Sequence, residues 1–241
     1  MIRIFAKEFN SYLNSLIAYL VISVFLTGIG LLLWVFPETS VLQYGFADMS
    51  TLFTMAPYVF IFLIPAITMK SFAEEKKMGT LELLLTKPLT DWGIVLGKFF
   101  ASFALTLVAL IPTAIYYFSI YQLGNPVGNV DTAGVIGSYI GLSLLAAVFC
   151  SFGICASTLT TNQIVSFILA AFFCFIFYTG FDSLAALAGN DSLLVKQWGV
   201  LYHYEALSKG LIDSRDVIYF ISVTGLALLC AKTVIGSRQW A

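Results

Sequence analysis

Apolar positions in this chain come in long blocks rather than in the alternation of a half-buried strand. Charge-free apolar runs cover 16–36, 52–69, 99–121, 135–159, 163–181 and 217–231. A helix rises about 1.5 Å per residue, so a hydrocarbon core of about 30 Å takes roughly 20 apolar residues. Each run therefore predicts a membrane-spanning helix, with Phe72, Val234 and Ile235 completing the second and the last. Break signals separate the runs: Pro37 after the first, Gly124-Asn125-Pro126 after the third, and Thr160-Thr161-Asn162 between the fourth and fifth. The pattern predicts an all-α polytopic membrane protein, a single transmembrane domain over 1–241 with spans at 16–36, 52–72, 99–121, 135–159, 163–181 and 217–235.

Two stretches outside the spans carry their own pattern. At the start, Ile2, Phe5, Phe9, Tyr12, Leu13 and Leu16 recur at helical spacing, with Arg3, Lys7, Asn10 and Asn14 off that stripe. Residues 1–15 thus predict an amphipathic helix lying among lipid headgroups. Residues 182–216 are too apolar for a free loop, and their breaks at Gly189-Asn190-Asp191 and Gly210 predict short helices dipping into the outer leaflet. Arg3 and Lys7 ahead of the first run resemble a signal peptide, but the run is longer than a cleavable apolar core of about 7–15 residues. It is read as a retained span.

Composition agrees. The chain is 60% hydrophobic and 10% charged, whereas a soluble domain is about 25% charged and could cover its surface. That excludes a soluble enzyme and a disordered tail. A net charge of −1 excludes a nucleic-acid partner, which needs a basic field. Cys150, Cys155, Cys174 and Cys230 all lie in apolar runs without metal-ligand spacing and read as small hydrophobes.

Six spans put both ends on one side, together with 70–98 and the turn near 160. That side carries nine of the twelve basic residues and five of the thirteen acidic ones. Basic residues stay in the cytoplasm, so both termini are predicted cytoplasmic. Trp34, Trp92, Trp198 and Trp240 fall at or near span ends, as membrane-interface anchors do.

What the spans lack decides between function classes. None of the six runs contains an ionisable residue, whereas ion-coupled carriers keep such groups at mid-membrane. His203 is the only histidine, so neither a Ser–His protease nor an H-E-x-x-H zinc site can be assembled. It lies between Tyr202 and Tyr204 and reads as a packing residue. The only Gly-Lys pair, Gly97-Lys98, is followed by Phe99, which breaks the phosphate-loop pattern. No catalytic residue, metal site or cofactor is expected in this chain, and energy must come from outside the membrane.

The densest charge cluster lies between the second and third spans. There the second span is expected to continue as a charged helix through Glu74, Glu75, Lys76 and Lys77 to Met78, with Gly79 ending it. Thr80 then caps a short helix whose apolar face is Leu81, Leu84 and Leu85, with Glu82 beside it and Pro88 ending it. Such a face, held close to the membrane, wants a partner groove. Thr90 or Asp91 caps the third span, with Lys98 near the membrane surface.

The run from Glu74-Glu75-Lys76-Lys77 through Gly79-Thr80-Leu81-Glu82-Leu83-Leu84 to Pro88, continuing to Trp92 and Val95-Leu96-Gly97-Lys98, resembles the signature of ABC-2-type transporter permeases. Within that family the chain is similar to the permease subunits of gliding-motility-associated ABC transporters of Bacteroidetes-type bacteria. The resemblance implies that 79–88 is a coupling helix docking on a cytoplasmic ABC ATPase subunit, which binds the ATP and magnesium. It further implies a second permease half, identical or different, a membrane-anchored periplasm-facing auxiliary subunit, a bacterial inner-membrane location and a link to gliding and its secretion machinery. Related permeases make contact through their first and fifth spans, which nominates Ser166 and Ala170 as a subunit contact. Gly137 and Gly141 form a second small-residue pair on the fourth span. Two other readings stay open: a non-transporting scaffold that anchors and regulates an ATPase or motility complex, and an ion-coupled carrier.

Overall fold

The computed structural model describes residues 1–44, 48–81, 90–188 and 192–237. Those residues are almost entirely helical, with no strand among them, and six helices are long and apolar enough to cross a membrane. α1 (Ile2–Leu13) is followed by α2 (Leu16–Trp34) and one turn of helix, α3 (Val41–Tyr44). α4 (Ser50–Thr68) and α5 (Lys70–Lys77) form one rod, jointed at Met69. α6 (Asp91–Leu110) passes through a 3₁₀ turn at Ile111–Thr113, where Pro112 stands, into α7 (Ala114–Leu123). α8 (Thr132–Leu159) is unbroken over 28 residues. α9 (Gln163–Phe175) runs through a π-helical turn, Ile176–Gly180, into α10 (Phe181–Ala188). Short helices α11 (Ser192–Lys196) and α12 (Val200–Leu207) precede α13 (Ser214–Gly236).

The starts of these helices follow from local chemistry. The side chains of Thr90, Asp131, Asn162 and Asp213 each accept a hydrogen bond from an early amide of α6, α8, α9 and α13. Such a bond satisfies one of the donors a helix start leaves free. Asn162 therefore divides α8 from α9 where the sequence predicts a break. At the other end of α5, Gly79 takes φ +67°, a conformation glycine adopts without steric cost.

α8 is the axis of the molecule. It packs against α4, α5, α6, α9, α12 and α13, and it is the most buried of the six spans. α2, α9 and α13 are peripheral: less than a third of each is buried within the chain, against nearly two-thirds or more for the other three. Lipid tails are as apolar as leucine, so close approach and hydrogen bonds, not the hydrophobic effect, hold such helices together. Glycines on α8 provide the approach. A Cβ on Gly153 would overlap Thr68 Oγ1 on α4. One on Gly137 would sit 2.6 Å from the Gly210 carbonyl oxygen, and one on Gly141 would sit 2.6 Å from Leu207 Cβ. The Gly137/Gly141 pair thus seats the end of α12 within the same chain.

A buried hydroxyl repairs α4 where a proline interrupts it. Pro57 has no amide to offer the Phe53 carbonyl four residues earlier, and Tyr204 of α12 donates its hydroxyl to that oxygen at 2.7 Å. On the same side His203 is a packing residue. Its ring stacks on Tyr219 with centroids 3.9 Å apart, and its nitrogens lie 2.7 Å from Asp216 Oδ1 and 3.0 Å from the Gln197 carbonyl oxygen.

The helix of the third span begins at Asp91 and is capped by Thr90, as the sequence predicts, so Lys98 lies inside α6, where it is 1% exposed. One contact expectation needs correction. Ser166 and Ala170 are fully buried against the chain's own core, so they offer no surface to a second subunit. The exposed side of α9 carries Ile164, Ile168, Phe172 and Phe175 instead. The expected break at Gly189-Asn190-Asp191, and Trp240, lie outside the described residues.

Candidate functional site

The first residues of the chain and the last turns of α13 meet at the start of α6. A Cβ on Gly93 would lie 3.7 Å from the Met1 nitrogen, and one on Gly236 would lie 3.9 Å from Asp91 Oδ2. Lys232 Nζ stands 5.6 Å from the centre of the Trp92 ring. The α5 rod and the junction of α8 with α9 share this end, so Arg3, Lys7, Lys70, Lys76, Lys77, Lys98 and Lys232, the described basic residues of the sequence pattern, lie on elements that meet there.

α1 reaches the site through its inward face. Ile4, Glu8 and Tyr12 stand one helical turn apart, and Ile4 packs so tightly on Gly97 that a Cβ there would come within 2.9 Å of it. This close approach brings Glu8 to Lys98, the next residue of α6. The Lys98 ammonium lies 3.1 Å from Glu8 Oε1, 3.0 Å from Glu75 Oε1 and 2.6 Å from the Ser71 carbonyl oxygen. Three acceptors match its three protons. Lys7 adds a second, exposed positive charge, 3.5 Å from Glu8 and 3.7 Å from Glu75. The Tyr12 hydroxyl is 3.1 Å from Ser71 Oγ, and burial pushes its phenol above the ordinary range, which keeps it protonated. The Phe72 ring lies 5.0 Å from the Lys98 nitrogen.

α5 is tied equally firmly to α8. Ser157 Oγ accepts hydrogen bonds from the Phe72 and Ala73 amides at 2.7 and 3.2 Å. Lys76 Nζ donates to the Thr158 carbonyl oxygen in the last turn of α8, where a cation is favoured.

The charged motif therefore divides by face. Glu75 and Lys76 turn inward onto neighbouring helices, and Glu74 is half-buried. Lys77, Met78, Gly79 and Thr80 are exposed at the tip. Leu81 is 1% exposed and belongs to the chain's own core, so it is not open to an outside groove. Glu82, Leu84, Leu85 and Pro88 lie outside the described residues. Glu8, Ser71, Ser157 and Thr158 were not picked out from the sequence. The available signal was Lys98 itself, one charge amid Ile94-Val-Leu-Gly and Phe99-Phe, which in apolar surroundings requires a partner.

Six membrane-crossing helices around one buried axis, with a charged module at one end, define a polytopic membrane protein. The chain matches the model of the ABC-2 family transporter proteins over residues 2–235, and it belongs to that family. Permeases of the family are membrane transport subunits that normally work with an ABC ATPase partner. No curated protein matches the chain.

Proposed function

We propose that this chain is the permease subunit of an ABC transporter of the bacterial inner membrane, coupling ATP hydrolysis by a separate cytoplasmic subunit to export or conformational work. The observation that carries the reading is the α4–α5 rod. It leaves the apolar bundle, anchors its charged extension to α6, α8 and α1, and ends in the exposed tip Lys77–Thr80. A subunit docking on that tip and on 82–88 would move α4 without touching the membrane. The excess of basic residues at this end supports a cytoplasmic orientation for it and for both termini. The core would hold two permease halves, and ATP and magnesium would bind only on the ATPase. A periplasm-facing membrane-anchored subunit and a link to gliding motility and its secretion machinery complete the proposal, resting on the likeness of the 74–98 run.

Co-purification with the ABC ATPase of the same cell tests it. Met78→Asp and Glu82→Lys are expected to leave the chain in the membrane but to abolish co-purification or uncouple hydrolysis from the permease. Unchanged assembly and unchanged hydrolysis in both variants would remove the docking assignment. ATP turnover in proteoliposomes with no substrate moved would assign a scaffold role instead.

A further inference from the structure

Lys98 is held where a charge is costly. It is 1% exposed, and its two carboxylate partners come from different elements, Glu8 from α1 and Glu75 from α5. α1 is not among the helices long enough to cross a membrane, α5 is the charged end of the rod that begins with α4, and α6 opens the third span. The second oxygen of Glu75 is buried and has no hydrogen-bond partner among the described residues, so Lys98 is the principal compensation for that charge. Separating either helix from α6 would strand a buried charge, which costs far more than losing an exposed ion pair. Packing alone does not impose that penalty, since two apolar faces slide at small cost.

We infer that Glu8, Lys98 and Glu75 form a charged joint that locks α1 and α5 onto α6 as one rigid input module. A displacement of the α5 tip then moves the headgroup-level helix α1 and the third span together, rather than bending α5 alone. Lys98 is a positioning residue that acts through the helices it holds. As a transmission device the joint presupposes the ATPase-driven role proposed above; as a rigid joint it does not.

Spin labels on the purified complex with its ATPase separate the two. With the native cysteines replaced by alanine, one pair is placed at Ser11→Cys on α1 and Lys70→Cys on α5, and a second at Lys70→Cys and Leu187→Cys. With Lys98 in place, the Ser11–Lys70 distance is expected to be single, narrow and the same with and without a non-hydrolysable ATP analogue, while the Lys70–Leu187 distance shifts. In Lys98→Met the Ser11–Lys70 distribution is expected to lose its single narrow distance and to become nucleotide-dependent. Should that variant fail to fold, the triple variant Glu8→Gln, Glu75→Gln, Lys98→Met leaves no stranded charge and is expected to lose the narrow distance as well. A narrow, nucleotide-independent distance in the triple variant would mean that Ile4 on Gly97 suffices, and would overturn the joint. A Ser11–Lys70 distance that changes with nucleotide while Lys98 is in place would do the same. A fixed Lys70–Leu187 distance would overturn transmission and count against the ATPase-driven reading, while the first pair still decides whether the joint is rigid.

Discussion

Pro57 withdraws an amide from α4, and Tyr204, more than a hundred residues later, supplies the missing donor to Phe53. Tyr204→Phe deletes only that hydroxyl and leaves a buried carbonyl without a partner, so roughly 1–3 kcal/mol of stability is expected to go. In a Pro57→Ala background the backbone amide at 57 can serve the carbonyl itself, and the same substitution is expected to cost much less. Unfolding in detergent of the two single variants and the double variant measures the difference; equal costs in both backgrounds would break the link. Lys98 follows the same logic with charge. Lys98→Met strands two half-neutralised carboxylates and is expected to cost about 3–5 kcal/mol, while the triple neutral variant recovers most of that loss. Neither partnership was legible in the sequence. A lone tyrosine or lysine announces that it needs a partner, but the partner is chosen by which helices become neighbours, and here the partners are 151 and 90 residues away.

Helices as units were far more legible than their contacts. Hydropathy located all six spans because a bilayer imposes length and composition on each one separately. The charge-free window marks only the apolar part of α6, and the capping residues Thr90 and Asp91 mark where the helix begins. Small-residue spacing was readable but ambiguous. Gly137 and Gly141 face α12, and Ser166 and Ala170 face the core, and nothing along the chain says which neighbour a narrow face will meet. The geometry sorts the glycines with opposite signs. Gly153→Ala drives a methyl into Thr68 and is expected to destabilise the α4–α8 contact by about 1–3 kcal/mol. Gly225→Ala on α13 meets nothing within 4 Å, and alanine is the better helix former, so it is expected to be neutral or to stabilise by up to about 1 kcal/mol. Thermal unfolding of both variants checks the contrast; matching gains would mean that helix propensity, not approach, governs α8.

One end of the molecule holds a fully buried lysine among its carboxylates and the other holds the short helices after α9, and this asymmetry makes its orientation testable. The basic end gathers the first residues of α1, the end of α13, the α5 tip and the buried Lys98 joint, while the far end carries α10 to α12 with Leu187 86% exposed. Charge scarcity identified a membrane protein from the sequence, and under the proposed function the described basic residues at this end mark where a partner subunit would act. A single cysteine at Met78 is therefore expected to react with a membrane-impermeant maleimide in inverted vesicles and not in spheroplasts, and one at Leu187 to do the reverse. Both substitutions are made with the four native cysteines replaced. Bound ATPase is expected to protect Met78→Cys and leave Leu187→Cys unaffected, because only the first position lies on the docking tip. The opposite labelling pattern would place the α5 tip outside the cell, beyond the reach of any cytoplasmic ATPase, and the charged joint would then serve an external partner.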